Sequence, residues 1–340
     1  MPDERARLEA IMRKKLSTIS TLSLSVDAWT SGANRGYIAV TGHGITESWV
    51  LETLLLSMTP VTENEMGQFI AFVIQDTLRY WDISETRVVT ITSDGAPNAK
   101  NTVVEQLDKP WVYCFAHVIN GSVRKALEHR CISDVFRSAN NISKFFKKSS
   151  KAARSLKECQ TALNLLVKSM AIDNDTRWGS AYQMMARLCE SRRAVSACLA
   201  EVTGTRDSIP DDLTTSQWST IKRLVELLRA INESSEYISQ QHHPTIGVVM
   251  VVMNQVMNAH LVGQAEKEAD TSDAVDKFRS VMLGDLKRRW PPLSLDTSAD
   301  TVILAVYLDP RVKNFFFIER RRTAAGTHSK GRSTCGDVCA

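Results

Sequence analysis

The stretch RVVTITSDGAPNAKN, Arg87 to Asn101, alternates β-branched residues as far as Thr92 and then breaks at Ser93-Asp94-Gly95-Ala96-Pro97. Such a run makes a short buried strand, and the Gly and Pro forbid its continuation. Asp94 therefore stands at the carboxyl end of a strand. Val103, Val104 and Leu107 follow at helical spacing, so the unit reads strand, acid, tight turn, then a helix over Asn98 to Leu107. Ligands and metals collect at that place in open α/β sheets. A carboxylate that only closes a turn or caps the next helix is the competing reading. A second acid sits in a similar position: Leu22 to Thr30, LSLSVDAWT, alternates likewise and has Asp27 as its only charge.

Gly36 to Ile45 and Trp49 to Met58 are two further strand candidates, with Gly32, Asn34 and Gly44 supplying turns. Their short connections imply an antiparallel meander. Asp3 to Lys15 ahead of them reads as a charged amphipathic helix with Leu8, Ile11 and Met12 on one side. Thr62 and Glu65 form a T-x-x-E capping box before Met66, Phe69, Ile70, Val73, Ile74 and Leu78, which recur at helical spacing. A right-handed crossover through that helix sets the Val88 strand parallel and adjacent to the Leu22 strand, with Asp27 facing Asp94. Two carboxylates that close repel, and the usual relief is a divalent cation or a raised pKa on one of them. Mg²⁺ or Mn²⁺ held by carboxylates can activate water and stabilise a leaving oxygen in phosphodiester cleavage.

A chain of 340 residues, 43% of them hydrophobic, can bury about two domains' worth of core. Its net charge of +4 permits nucleic-acid binding only through a local basic surface. Seven scattered cysteines, an odd number, fit free thiols in a reducing compartment. No apolar run approaches the roughly 18 residues of a membrane span, and the charged start MPDERARLEA is unlike a signal peptide. Nothing in the chain points to a membrane or to a small-molecule substrate.

Cys114-Phe115-Ala116-His117 is half of a zinc site at most, since no second pair lies at finger spacing and a structural site needs four ligands, so no structural zinc is expected. Cys114 as a small buried hydrophobe and His117 as a hydrogen-bonded core histidine is the plain alternative. From Arg124 to Lys157 the balance turns basic, with Phe136, Phe145 and Phe146 interleaved. A solvated helix face and a phosphate-contacting surface both fit. Lys144, Lys147, Lys148 and Lys151 are the best candidates, being spaced to lie on or near one helical face. Beyond Lys157 every pattern is helical, including stripes at Leu163, Leu166, Val167 and Met170 and from Trp218 to Ile231. His242-His243 carries no assignment.

Six segments in order resemble the hAT superfamily of DNA transposases and the host proteins derived from them, including zinc finger BED domain-containing proteins. They are LSLSVDAWTS, GYIAVTGHGI with Trp49, TITSDGAPNAKN, YCFAHVIN, DNDTRWGSAYQMMARL and YLDPRVK, spread over nearly the whole chain. The resemblance implies an RNase H-like core, a mixed β-sheet flanked by helices, with a long all-helical insertion, an α/β + α fold. It makes Asp27 and Asp94 the first two acids of an Asp, Asp, Glu triad that uses Mg or Mn. It gives Cys114 and His117 a structural or site-supporting role near the metal pocket. Arg177 would hold phosphate, and Trp178 would stack on an extruded base, although an ordinary buried Trp also fits. The family usually has Asp-Asn where this chain has Asp94-Gly95, and often a His where it has Thr62-Glu63-Asn64.

The expected organisation is a lead-in helix over 1–15, an RNase H-like domain over 16–160, a helical insertion over 161–318 and a disordered tail over 319–340. The third acid and a dimerisation segment are not recognisable; Glu319, beside three arginines, lacks the family's surroundings. The expected function is that of a nuclear hAT transposase or domesticated derivative binding double-stranded DNA, truncated and inactive in strand transfer, whose full-length relative forms a homo-oligomer. The alternative is a non-enzymatic nuclear scaffold or transcription-associated protein binding partners through its helical domain.

Overall fold

Residues 2–62, 66–174, 179–201, 209–240, 243–262, 273–290 and 301–314 are described by a computed structural model. Helix α1 (Pro2–Ser17) leads into β1 (Leu22–Thr30), β2 (Gly36–Ile45) and β3 (Leu51–Pro60), then α2 (Met66–Tyr80), β4 (Val88–Ser93), the short α3 (Pro97–Asn101) and β5 (Trp111–Tyr113). The five strands form one sheet in the order β3-β2-β1-β4-β5. The first three are antiparallel neighbours, and β4 lies parallel to both β1 and β5. Alternation decides the faces. Leu22, Leu24, Val26, Ile38, Val40, Leu54 and Ile91 are buried with Phe69, Ile70, Val73 and Ile74 of α2 in one core.

Three local expectations differ from what forms. β3 starts at Leu51 because Trp49 adopts a left-handed φ of 62° and its N–H closes a turn onto the Thr46 carbonyl at 2.9 Å. The helix expected over Asn98 to Leu107 is α3 followed by a wider π turn, Thr102–Gln106. The stripe from Leu163 to Met170 is not helical. Asn164 turns left-handed at φ 53°, and the buried Gln160 amide bonds both the Lys168 carbonyl, at 3.1 Å, and its N–H, at 3.3 Å. A side chain thus replaces the helical ladder there. Glu65 of the capping box lies outside the described residues.

After β5 the chain is helical: α4 (Phe115–Leu127), α5 (Ser133–Lys148), α6 (Ser150–Ala162), α7 (Ser180–Glu190), α8 (Arg192–Glu201), α9 (Thr215–Ile238), α10 (Ile246–Val262), α11 (Asp273–Arg289) and α12 (Thr301–Leu308). Their core begins at Phe115, so α4–α6 bury Val118, Ile142 and Phe146 together with Met184, Leu188, Ile221, Leu224, Phe278 and Met282. Gly179 opens α7 at φ 72°, a conformation that favours glycine. Ser149, extended at φ −94°, ψ 115°, ends α5 and caps α6 by accepting the Ala152 N–H at 3.2 Å.

Candidate functional site

Ser25 of β1 pairs with Thr92 of β4, and Asp27 and Asp94 each stand two residues further on. The parallel register therefore sets the two acids side by side just past the β1–β4 ladder, Asp94 beyond β4 and Asp27 still within β1, where it pairs with Ala39 of β2. The end of β5 lies beside them. The Cys114 N–H donates to the Ser93 carbonyl at 2.8 Å, and Cys114 then serves as the N-cap residue of α4, which carries His117 one turn in. One Asp94 oxygen accepts the Ala96 N–H at 3.2 Å, so the turn-closing role is present alongside any other.

Electrostatics tie these residues together. The Asp27 carboxyl is pushed up by loss of hydration and by the Asp94 charge, against the opposing pull of His117 and of the Ala28 N–H. His117 is raised by its hydrogen bond to Cys114, against desolvation, with Asp27 and Asp94 adding to the rise. Two hard carboxylates that repel suit one cation of the Mg²⁺ or Mn²⁺ kind. Among the described residues no cluster of three or more His, Cys, Asp or Glu forms, so a second ion would lack protein ligands there.

The same sheet face continues as a polar strip that the sequence reading passed over. Thr90 Oγ1 donates to Ser23 Oγ at 3.1 Å; the His43 ring bonds Ser25 Oγ at 3.0 Å through Nε2 and Thr53 Oγ1 at 3.3 Å through Nδ1. Burial lowers the His43 pKa, so the ring is neutral among its hydroxyl partners. The signal was a histidine in mid-strand between strands carrying Ser and Thr at alternate positions. Ser25, His43, Thr92 and Cys114 line one side of a cleft of about 1000 Å³, and Ile246, Val249 and Trp290 of the helical part line the other.

The basic run divides. Arg124 holds the buried Asp173 at 2.5 Å and 2.6 Å, Lys125 reaches Asp285 at 3.1 Å, and Arg137 pairs with Asp134. Those three are occupied internally. Lys147, Lys148 and Lys151 are exposed, Lys144 is half-buried, and among the described residues none of the four makes an ion pair. They do not share one helical face as expected: Ser149 breaks the helix, leaving Lys144, Lys147 and Lys148 on α5 and Lys151 on α6. Arg177 and Trp178 lie outside the described residues.

A five-stranded sheet in the order β3-β2-β1-β4-β5, three strands antiparallel and the last two parallel, with one acid on β1 and one just past β4 and an all-helical part following, has the RNase H-like class of fold. Two adjoining family models match, the ZBED1 RNase-like domain over residues 25–113 and the ZBED1 RNase-like helical domain over residues 112–227. The chain belongs to this hAT-type, transposase-derived family. It is similar to the protein named as transcriptional regulator tpeD in Talaromyces stipitatus, at 24% identity over 75% of this chain and 34% of that one. Zinc finger BED domain-containing protein RICESLEEPER 2 of Oryza sativa subsp. japonica is 20% identical over 90% of this chain and 42% of its own. A protein named as an AC transposase in Zea mays is 24% identical over 52% of this chain and 23% of its own. The chain thus spans less than half the length of these relatives.

Proposed function

We propose that this chain is a DNA-contacting part of a transposase-derived nuclear protein, binding duplex DNA through the corner between α5 and α6 and not completing strand transfer by itself. The observation that carries the reading is the group of exposed lysines around the Ser149 break, Lys147, Lys148 and Lys151, with no carboxylate partner among the described residues. Unpaired cations on a short corner are free to neutralise phosphates, which supplies affinity with little base selectivity. Kinship with BED-type proteins and with a protein named as a transposase supports both DNA as partner and the nucleus as location.

In this reading Asp27 and Asp94 hold one Mg²⁺ or Mn²⁺, and no zinc is required. When bound, that ion would neutralise the pair and polarise a phosphodiester oxygen. Two-ion cleavage needs a further carboxylate, and none joins the pair among the described residues. No small-molecule substrate and no membrane enter the reading; no helix among the described residues is long and apolar enough to cross a bilayer. The second reading, a scaffold that binds protein partners or a second copy through its helical part, draws on α12. That helix buries Val302 and Val306 but exposes Leu304, Tyr307 and Leu308.

The test is the binding of purified chain to labelled duplexes across a salt series, followed by incubation of the same duplexes with Mn²⁺. Salt-dependent binding without nicking is expected. Absence of salt-dependent binding would sink the DNA reading, and Mn²⁺-dependent nicking lost in Asp94→Asn would sink the inactivity.

A further inference from the structure

We propose that Cys159 of α6 and Cys198 of α8 are a dithiol that a peroxide converts to a disulfide, an oxidative modification site that fastens the two helices together. The inference is independent of the DNA reading. The Cys159 and Cys198 sulfurs lie 2.8 Å apart, although 39 positions separate them along the chain. A disulfide bond is about 2.05 Å long, so closing the pair requires less than about 1 Å of sulfur movement. Among the described residues no other two cysteine sulfurs come within hydrogen-bonding distance.

The helices hold this approach from both sides. Ser155, one turn before Cys159 on the same face of α6, brings its Oγ to 3.8 Å from Cys198 Sγ. Gln160, the residue after Cys159, donates through its buried amide to Ser191 Oγ at 3.2 Å, and Ser191 immediately precedes α8. Leu156 of α6 is buried in the same core as Ala194, Val195 and Cys198 of α8. Helix packing, and not a bond between the thiols, thus brings the two sulfurs together.

Access divides the roles. Cys159 is half-buried and Cys198 is fully enclosed. Burial, then the hydrogen bond to Cys159, pushes the Cys198 thiol up, so the outer sulfur is the one that meets the oxidant. The Cys159 sulfur attacks one oxygen of hydrogen peroxide and the O–O bond breaks. That sulfur is oxidised by two electrons to the sulfenic acid, and the departing hydroxide takes the thiol proton to become water. The Cys198 sulfur then attacks the Cys159 sulfur, the S–O bond breaks, and the hydroxide leaves with the Cys198 proton as a second water. One peroxide and two thiols give one disulfide and two waters. The closed loop contains all of α7, so oxidation joins α6, α7 and α8 into one covalent unit. In a reducing compartment the pair rests as thiols, and a thiol reductant returns it to that state.

The full folded chain would be treated with hydrogen peroxide, its remaining thiols blocked with N-ethylmaleimide, and its disulfides mapped by peptide mass spectrometry without reduction. A Cys159–Cys198 linked peptide is expected, at least about tenfold more abundant than any other link to either residue, because this pair meets the geometry of the bond. It should vanish after dithiothreitol, and the selectivity should be lost when oxidation is carried out in urea. Cys198→Ala, folded by circular dichroism, should instead accumulate the Cys159 sulfenic acid, trapped by dimedone. Absence of the Cys159–Cys198 peptide from the oxidised folded chain, or links from Cys159 to other cysteines in equal yield, would overturn the proposal without any variant. So would the same selectivity in urea, which would trace the link to chain proximity and not to the packing of α6 on α8.

Discussion

The Tyr113 hydroxyl fills the space that a side chain at position 95 would need: a Cβ built on Gly95 overlaps the Tyr113 ring and its oxygen. The ring cannot easily give way. Arg289 of α11 donates to its hydroxyl at 3.2 Å, and Trp111 packs on it with centroids 5.3 Å apart. The turn that carries Asp94 is thereby held beneath a side chain anchored in the helical part. The hAT pattern of Asp-Asn at this place cannot be built here without moving Tyr113. Gly95→Asn should therefore destabilise the chain by about 1–3 kcal/mol, as overpacking does. With Tyr113→Ala already in place, the same change should cost markedly less, a coupling that a double-mutant cycle in urea would read. Additive costs would show that the two residues do not compete for one space.

The pH behaviour follows from the coupling of Asp27 and His117 beside Asp94. Asp27 holds its proton more tightly in the folded chain than in the unfolded one. Stability therefore falls as pH rises from the ordinary carboxylate value through the raised one, and the penalty persists at pH 7. Asp27→Asn should raise stability at pH 7 in metal-free buffer, by at most about 1 kcal/mol for so exposed a group. In the same variant His117 should titrate lower by NMR, because one of the charges that raise it is gone. A His117 titration that ignores both Asp27→Asn and Asp94→Asn would separate the histidine from the acids.

Asp285 is the sharpest stability prediction. Its buried carboxylate accepts from Lys125 at 3.1 Å, Arg288 at 2.7 Å and Ser122 at 3.2 Å, and also from Arg289. Burial opposes ionisation, but those partners outweigh it and hold the carboxyl far below the usual range. This stability is present above the unfolded carboxylate pKa and is lost as pH falls toward the depressed folded value. Asp285→Ala should cost about 1–3 kcal/mol, because it removes the carboxylate that Lys125, Arg288 and the partly buried Arg289 share and takes an acceptor from the buried Ser122 hydroxyl. A loss under 1 kcal/mol in urea titration would mean that water replaces the carboxylate freely.

Lys144, Lys147, Lys148 and Lys151 changed together to Gln should weaken binding to every duplex alike and flatten the salt dependence by up to about one unit per lost contact. Thermal melting should move little, since among the described residues these lysines pair with nothing. Retained affinity would place the DNA surface elsewhere.

The alternating run Leu22 to Thr30 and the break at Ser93 to Pro97 determined by themselves that one strand carries Asp27 and another ends at Asp94, because period-two burial and Gly-Pro termination are local. Crossover handedness then made those strands neighbours. The sequence also named the helical stripes of α7, α9, α10 and α11, where a 3.6-residue period leaves one buried face. Only the tertiary structure decided what depends on partners remote in sequence. β5 is three half-buried residues whose strand character comes from pairing with β4. The stretch after Ala162 has helical spacing, but the Gln160 amide takes its backbone bonds instead. Arg124 and Lys125 belong to the same basic run as Lys147 and Lys148, yet they are consumed by Asp173 and Asp285, which lie 49 and 160 positions away. Charge can be counted along the chain, but whether a cation is free for a phosphate depends on which carboxylate the fold brings to it.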